Sequence, residues 1–150
     1  MQFIDGGVTA PKGFTANGML CKIKESSTKN DLALVFSEKL CNAAGVFTQN
    51  KVKAESVKLT KENIANGKAQ AVIANSGNAN ACTGEQGAKV ARKMASLAAD
   101  VLGINSGDVI VYSTGVIGKQ LPVEKIEKNI QFLKDGLSKE GHKEARTAIM

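Results

Sequence analysis

Apolar and polar positions change their rhythm about halfway along the 150-residue chain. In the first third, short runs with strand character, Phe14 to Ile23, Asp31 to Ser37 and Ala43 to Thr48, are separated by the turn-like Ser26 to Asn30 and Glu38-Lys39. This rhythm predicts a meander of antiparallel strands. After a Lys-rich stretch with a short helix over Thr60 to Ala65, the apolar run Ala69 to Ala74 predicts another strand, which ends in the small and polar residues Asn75 to Gly84. From Glu85 the period becomes helical. Val90, Met94, Leu97 and Val101 form one stripe, bordered by Gly87, Ala88, Ala91, Ala95 and Ala98, small residues that let a helix lie close on a sheet. Gly103 suits the helix C-cap, Asp108 to Tyr112 a strand, and Ser113 to Gly118 a second glycine-bearing loop. Pro122 fits the first helical position, before Ile126, Ile130, Leu133 and Leu137. The expected fold class is α/β: a mixed β-sheet with an N-terminal antiparallel meander, later strand-loop-helix units, and helices layered on the sheet.

Composition adds bounds. With 43% hydrophobic and 23% charged residues and no repeat or linker, residues 1–150 read as a single domain or the N-terminal part of one. The net charge of +6 is carried almost wholly by lysine and suits anionic partners. Nucleic acid is disfavoured, because Trp is absent, Tyr112 is the sole tyrosine, and arginine is limited to Arg92 and Arg146. The opening Met1 to Gly7 lacks signal-peptide character and no stretch reaches the length of a membrane span, so no membrane partner and a cytoplasmic location are expected. Cys21, Cys41 and Cys82 are odd in number and form no C-x-x-C, and they read as reduced, mostly buried thiols.

Familiar site patterns fail. No G-x-G and no G-x-S-x-G occurs, and Gly115 to Gln120 has too short a glycine spacing for a P-loop, with Gln120 where a magnesium-binding hydroxyl would stand. His142, the only histidine, lies in a polar run and reads as a solvated surface residue, so neither a metal site nor a histidine-based hydrolase is expected. Two loops remain, Asn75 to Gly84 and Ser113 to Gly118, each after a strand and before a helix, where open α/β sheets bind ligands. Their small residues can aim backbone amides into a cleft to meet negative charge. They can equally be plain turns, with Thr83 as an N-cap and the glycines at positive φ. No base stands beside Cys82 in sequence, so it reads as a small buried thiol rather than a nucleophile.

Six ordered motifs resemble a known family: Gly7-Val-Thr-Ala-Pro-Lys-Gly-Phe14, Asp31-Leu-Ala-Leu34, Ala43-Ala-Gly-Val-Phe-Thr-Gln-Asn50, Asn75-Ser-Gly-Asn-Ala-Asn-Ala-Cys-Thr-Gly84, Ser113-Thr-Gly-Val-Ile-Gly118 and Ala148-Ile-Met150. Through them essentially the whole chain resembles the ornithine acetyltransferases, also called bifunctional glutamate N-acetyltransferases of arginine biosynthesis. The resemblance implies an enzyme that moves an acetyl group from N-acetylornithine to glutamate, with acetyl-CoA as a further donor in bifunctional members and no bound cofactor. It implies a precursor that cleaves itself into α and β chains, which then form a hetero-oligomer. The new N-terminal threonine of the β chain becomes the nucleophile, and its α-amine serves as base without any histidine. Carried onto this sequence, the resemblance makes Thr114 and Gly115 the oxyanion-hole pair.

The family's Thr-Thr-Asp run, its substrate-binding lysine and the Ala-Thr cleavage junction have no counterpart in these 150 residues. The chain therefore reads as an N-terminal, α-chain portion that ends before the nucleophile and is inactive alone. Its sheet is expected to leave unpaired edges and bare apolar faces for β-chain segments to complete. The competing reading is a non-catalytic anion-binding or interaction module with the same fold.

Overall fold

The computed structural model describes residues 6–150. Four strands, β1 (Phe14–Met19), β2 (Leu32–Asn42), β3 (Lys68–Asn75) and β4 (Val109–Ser113), form one sheet in the order β1-β2-β3-β4. β1 and β2 pair antiparallel from Phe14 opposite Ser37 to Met19 opposite Leu32, and β2 and β3 pair antiparallel from Leu32 opposite Asn75. β3 and β4 run parallel, from Ala71 opposite Val109 to Asn75 opposite Ser113. A parallel pair needs a crossover, and helix α2 (Gly84–Leu102) provides it. The helices α1 (Glu55–Asn63), α3 (Val123–Asp135) and α4 (His142–Ala148) complete the set. The mixed α/β class and the antiparallel meander expected from the sequence are present, and Gly103 closes α2 in the left-handed conformation at φ 68°.

The main core lies on one face of the sheet. Alternation places Leu32, Leu34, Ile73, Val109 and Val111 on that face, against Val90, Met94 and Ala98 of α2 and Ile126, Ile130 and Leu133 of α3. The other face is built from smaller residues: Ala16, Ala33 and Ala74 meet Ala145 and Ala148 of α4. Gly18 and Gly141 permit this approach, since a Cβ on either would collide with the facing backbone, Glu144 O and Ala16 O respectively.

Four local expectations are corrected. The strand starting at Phe14 stops at Met19, because the Asp31 carboxylate draws in the Cys21 and Ile23 N–H groups at 2.6 and 2.7 Å and Lys22 turns at φ 59°. Ala43 to Thr48 is not a strand: β2 already has a neighbour on each side, and after Ala43 N donates to Gly67 O the segment runs beyond the end of β3, with Val46 fully exposed. The helix placed at Thr60 to Ala65 begins at Glu55, five residues earlier, and only Ser56 and Leu59 are buried on it. Helix α4 was unforeseen, and His142, its first residue, is half-buried with its ring against Gly7 rather than solvated.

The expected unpaired sheet edges are also absent among the described residues. On β4, the Thr60 hydroxyl donates to Val111 O at 2.8 Å and accepts from Val111 N at 3.0 Å, and Asn63 donates to Val109 O at 2.8 Å. On β1, Ala16 and Ser138 exchange backbone hydrogen bonds at 3.0 and 3.1 Å. Covered edges no longer offer a template for another strand.

Candidate functional site

The loops Asn75 to Gly84 and Ser113 to Gly118 leave the carboxyl ends of the parallel strands β3 and β4 and lead towards α2 and α3. Because the strands are hydrogen-bonded neighbours, their loops start side by side, and they remain zipped together. Thr114 N donates to Asn75 O at 3.0 Å, Ala79 N to Val116 O at 3.0 Å, and Gly118 N to Ala81 O at 2.8 Å. Side chains add two further ties, Asn78 Nδ2 to Lys119 O at 2.9 Å and Gln120 Nε2 to Thr83 O at 3.0 Å.

The closest approach is made by Gly115. At φ 130° it occupies backbone space that favours glycine, and a Cβ there would lie 2.5 Å from Asn78 N and 2.8 Å from Gly77 Cα. No side chain fits between the loops at this point. Thr114 is half-buried and Gly115 exposed, and neither the Thr114 hydroxyl nor the Gly115 N–H has a hydrogen-bond partner among the described residues. Thus two adjacent donors are reachable from outside and unspent, on a backbone held by the neighbouring loop.

Under the first loop lies a buried polar cluster. Asn75, Asn78, Asn80 and Thr83 are all buried; the side chains of Asn75 and Asn78 hold the loop's own backbone, and that of Asn80 reaches into α2. Asn75 Nδ2 donates to Ser76 O at 3.2 Å and Asn78 O at 2.9 Å, Asn78 Oδ1 accepts from Asn80 N at 2.8 Å, and Asn80 Nδ2 donates to Gly87 O at 2.9 Å inside α2. Thr83 occupies the N-cap position but does not cap through its hydroxyl, which donates instead to Asn80 Oδ1 at 2.8 Å. The glycines Gly77, Gly84, Gly115 and Gly118 do adopt positive φ, as the turn reading expected.

Cys82 is the clearest departure. It is exposed, not buried, because it and Asn80 take left-handed conformations at φ 56° and 47°, which leave Asn80, Ala81 and Thr83 inside and turn Cys82 outward. Cys21 is buried as expected, and burial, reinforced by the nearby Asp31 carboxylate, pushes its thiol up to about 12. Asp31 also supports the site: its carbonyl accepts from Ser76 N at 2.9 Å, tying the start of β2 to the first loop. Reasoning from sequence missed this tie, which joins residues 45 positions apart.

Among the described residues no group of His, Cys, Asp or Glu is arranged to hold a metal ion, and no helix is long and apolar enough to cross a membrane. What the two loops offer is a pair of adjacent, unspent hydrogen-bond donors on a backbone tied to the neighbouring loop.

Comparison with known proteins agrees with the motifs. The ArgJ family model matches residues 15–150. The arginine biosynthesis bifunctional protein ArgJ of Caldanaerobacter subterraneus subsp. tengcongensis is 53% identical over 150 residues, and that of Symbiobacterium thermophilum is 50% identical over 151. Both alignments cover 100% of this chain but only 37% and 38% of the relatives, so the chain spans little over a third of their length. Among solved structures, ornithine acetyltransferase from Mycobacterium tuberculosis, complexed with ornithine, superposes with a TM-score of 0.92 at 42% identity, covering 97% of this chain and 79% of that one. ArgJ from Bacillus halodurans gives 0.89 at 40% identity, covering 96% and 75%. With the family's motifs, its fold and a family match over residues 15–150, the chain belongs to the ArgJ family.

Proposed function

We propose that this chain is a portion of a cytoplasmic ornithine acetyltransferase and contributes the oxyanion hole, Thr114 and Gly115, to a centre whose nucleophilic threonine lies on the β chain. N-acetylornithine is the acetyl donor and glutamate the acceptor, with acetyl-CoA as a second donor. The relative that binds ornithine supports the substrate class. The three free cysteines accord with a reducing compartment.

The threonine oxygen attacks the acetyl carbonyl carbon while its proton passes to the α-amine, and the carbonyl π pair moves onto oxygen. That oxygen then carries nearly a full negative charge, which the Thr114 hydroxyl and Gly115 N–H stabilise more than they stabilise the neutral carbonyl. Collapse of the tetrahedral species expels ornithine, whose nitrogen takes up a proton, and leaves an acetyl ester. Glutamate's amine attacks that ester by the same route in reverse. One observation carries the reading: a hydroxyl and an amide, adjacent and unspent, on a backbone packed against and hydrogen-bonded to the neighbouring loop.

The test is Thr114→Ala in the full-length enzyme. Losing one donor while Gly115 keeps the other should cost about 3 kcal/mol, a fall of about a hundredfold in kcat with little change in KM. Thr114→Ser keeps the hydroxyl and should retain much more. A folded Thr114→Ala enzyme within about threefold of wild type would overturn the assignment and favour a non-catalytic binding module.

A further inference from the structure

Asn75 is the last residue of β3, between Leu32 on one side and Ser113 on the other, and it is fully buried. Its amide nitrogen spends both hydrogens on carbonyls of its own loop, Ser76 O at 3.2 Å and Asn78 O at 2.9 Å. Its amide oxygen has no partner among the described residues. An orphaned buried acceptor is a cost to the fold, and an apolar residue here would avoid it. The nitrogen's two bonds fix the turn Ser76 to Asn78. That turn contains the Gly77–Asn78 peptide on which Gly115 is seated, and Gly77 O accepts from Val116 N at 3.4 Å. The backbone carbonyl of Asn75 accepts from Thr114 N at 3.0 Å. One residue therefore holds the loop on both sides of the Thr114–Gly115 pair, through its backbone before it and through the Gly77 turn behind it.

From this geometry we infer that Asn75 is a positioning residue for the acyl transfer, its side-chain amide setting the aim of the Thr114 hydroxyl and Gly115 N–H without touching substrate. The inference rests on the proposed oxyanion role of that pair. Replacing Asn75 by alanine leaves the Gly77 turn untied, so Gly115 loses its seat and both donors drift. A polar residue left partly unsatisfied beside a functional site is a recurrent pattern.

The experiment is a double-mutant cycle of Asn75→Ala and Thr114→Ala in the full-length enzyme, reading kcat, KM and the melting temperature. Asn75→Ala alone should lower kcat by about tenfold or more with KM nearly unchanged, and Thr114→Ala should cost about a hundredfold in wild type but less than about tenfold in the Asn75→Ala background, because its hydroxyl is already misaimed there. Asn75→Ser can still donate one bond and should recover part of kcat; it also serves if the alanine variant does not fold. Ile130→Ala, a core change in α3 remote in sequence from both loops, should lower the melting temperature without changing kcat per folded molecule. If Thr114→Ala costs the same factor with and without Asn75, the residue is merely structural and the inference fails while the oxyanion reading stands. If Thr114→Ala costs nothing in wild type, the oxyanion reading fails and this one with it.

Discussion

At the scale of single residues, the three cysteines separate by environment. Cys82 is exposed beside the candidate site, whereas Cys21 is buried with its thiol pushed up to about 12. Reactivity follows the accessible thiolate, so Cys82 should be alkylated quickly at neutral pH while Cys21 stays protected until the protein unfolds. Mass spectrometry after brief labelling checks this; equal labelling of the two would contradict the burial pattern. Exposure does not make Cys82 a nucleophile, because no base is hydrogen-bonded to it. Cys82→Ser in the full-length enzyme should leave kcat within a few-fold of wild type. Complete loss of activity in a folded variant would point to thiol chemistry. The outward turn of Cys82 is hidden from the sequence because it depends on two left-handed residues that are not glycine, Asn80 and Cys82, either side of Ala81, and a left-handed cysteine has no compositional signal.

At the scale of elements, what depends on local pattern is legible in the sequence. The β3-loop-α2 and β4-loop-α3 units announce themselves by apolar period and by Gly and Pro punctuation, and both candidate loops stand where those units put them. What depended on distant partners was not legible. Helix α4 has seven residues and only Ala145 and Ala148 buried, too weak a stripe to see, and it exists because Gly18 and Gly141 let it approach β1. The pairing of α1 with β4 is similar: Thr60 looks like one polar residue in a Lys-rich run, yet its hydroxyl satisfies both the N–H and the C=O of Val111. Thr60→Val removes both bonds at nearly constant shape and leaves two partly buried backbone groups unpaired, so it should destabilise by about 2 kcal/mol. Thr60→Ser should cost less. Urea unfolding of the pair measures this, and an equal loss for both substitutions would show that the methyl group, not the hydroxyl, matters.

At the scale of the whole molecule, the two faces of the sheet are unequal. The face under α2 and α3 is filled, but α4 covers only part of the other, leaving a cavity of about 170 Å³ lined by Phe14, Val35, Val72 and Ile110 among others, nearly all of its wall apolar. Tyr112 is half-exposed, and Ile149 and Met150 are exposed immediately after α4 on this side. Since the edges of β1 and β4 are occupied by Ser138 and by Thr60 and Asn63, edge pairing is not the route by which the isolated chain should associate. Its apolar face is. Residues 1–150 alone should therefore self-associate in sedimentation, increasingly with concentration, and Val72→Lys together with Ile110→Lys should suppress the association without touching the main core, because both side chains are on the half-covered face. Strengthening of association with salt would accord with an apolar contact, whereas weakening would implicate the lysine-rich surface instead. A strictly monomeric wild-type chain with sharp, cooperative unfolding would show that this face is tolerated bare.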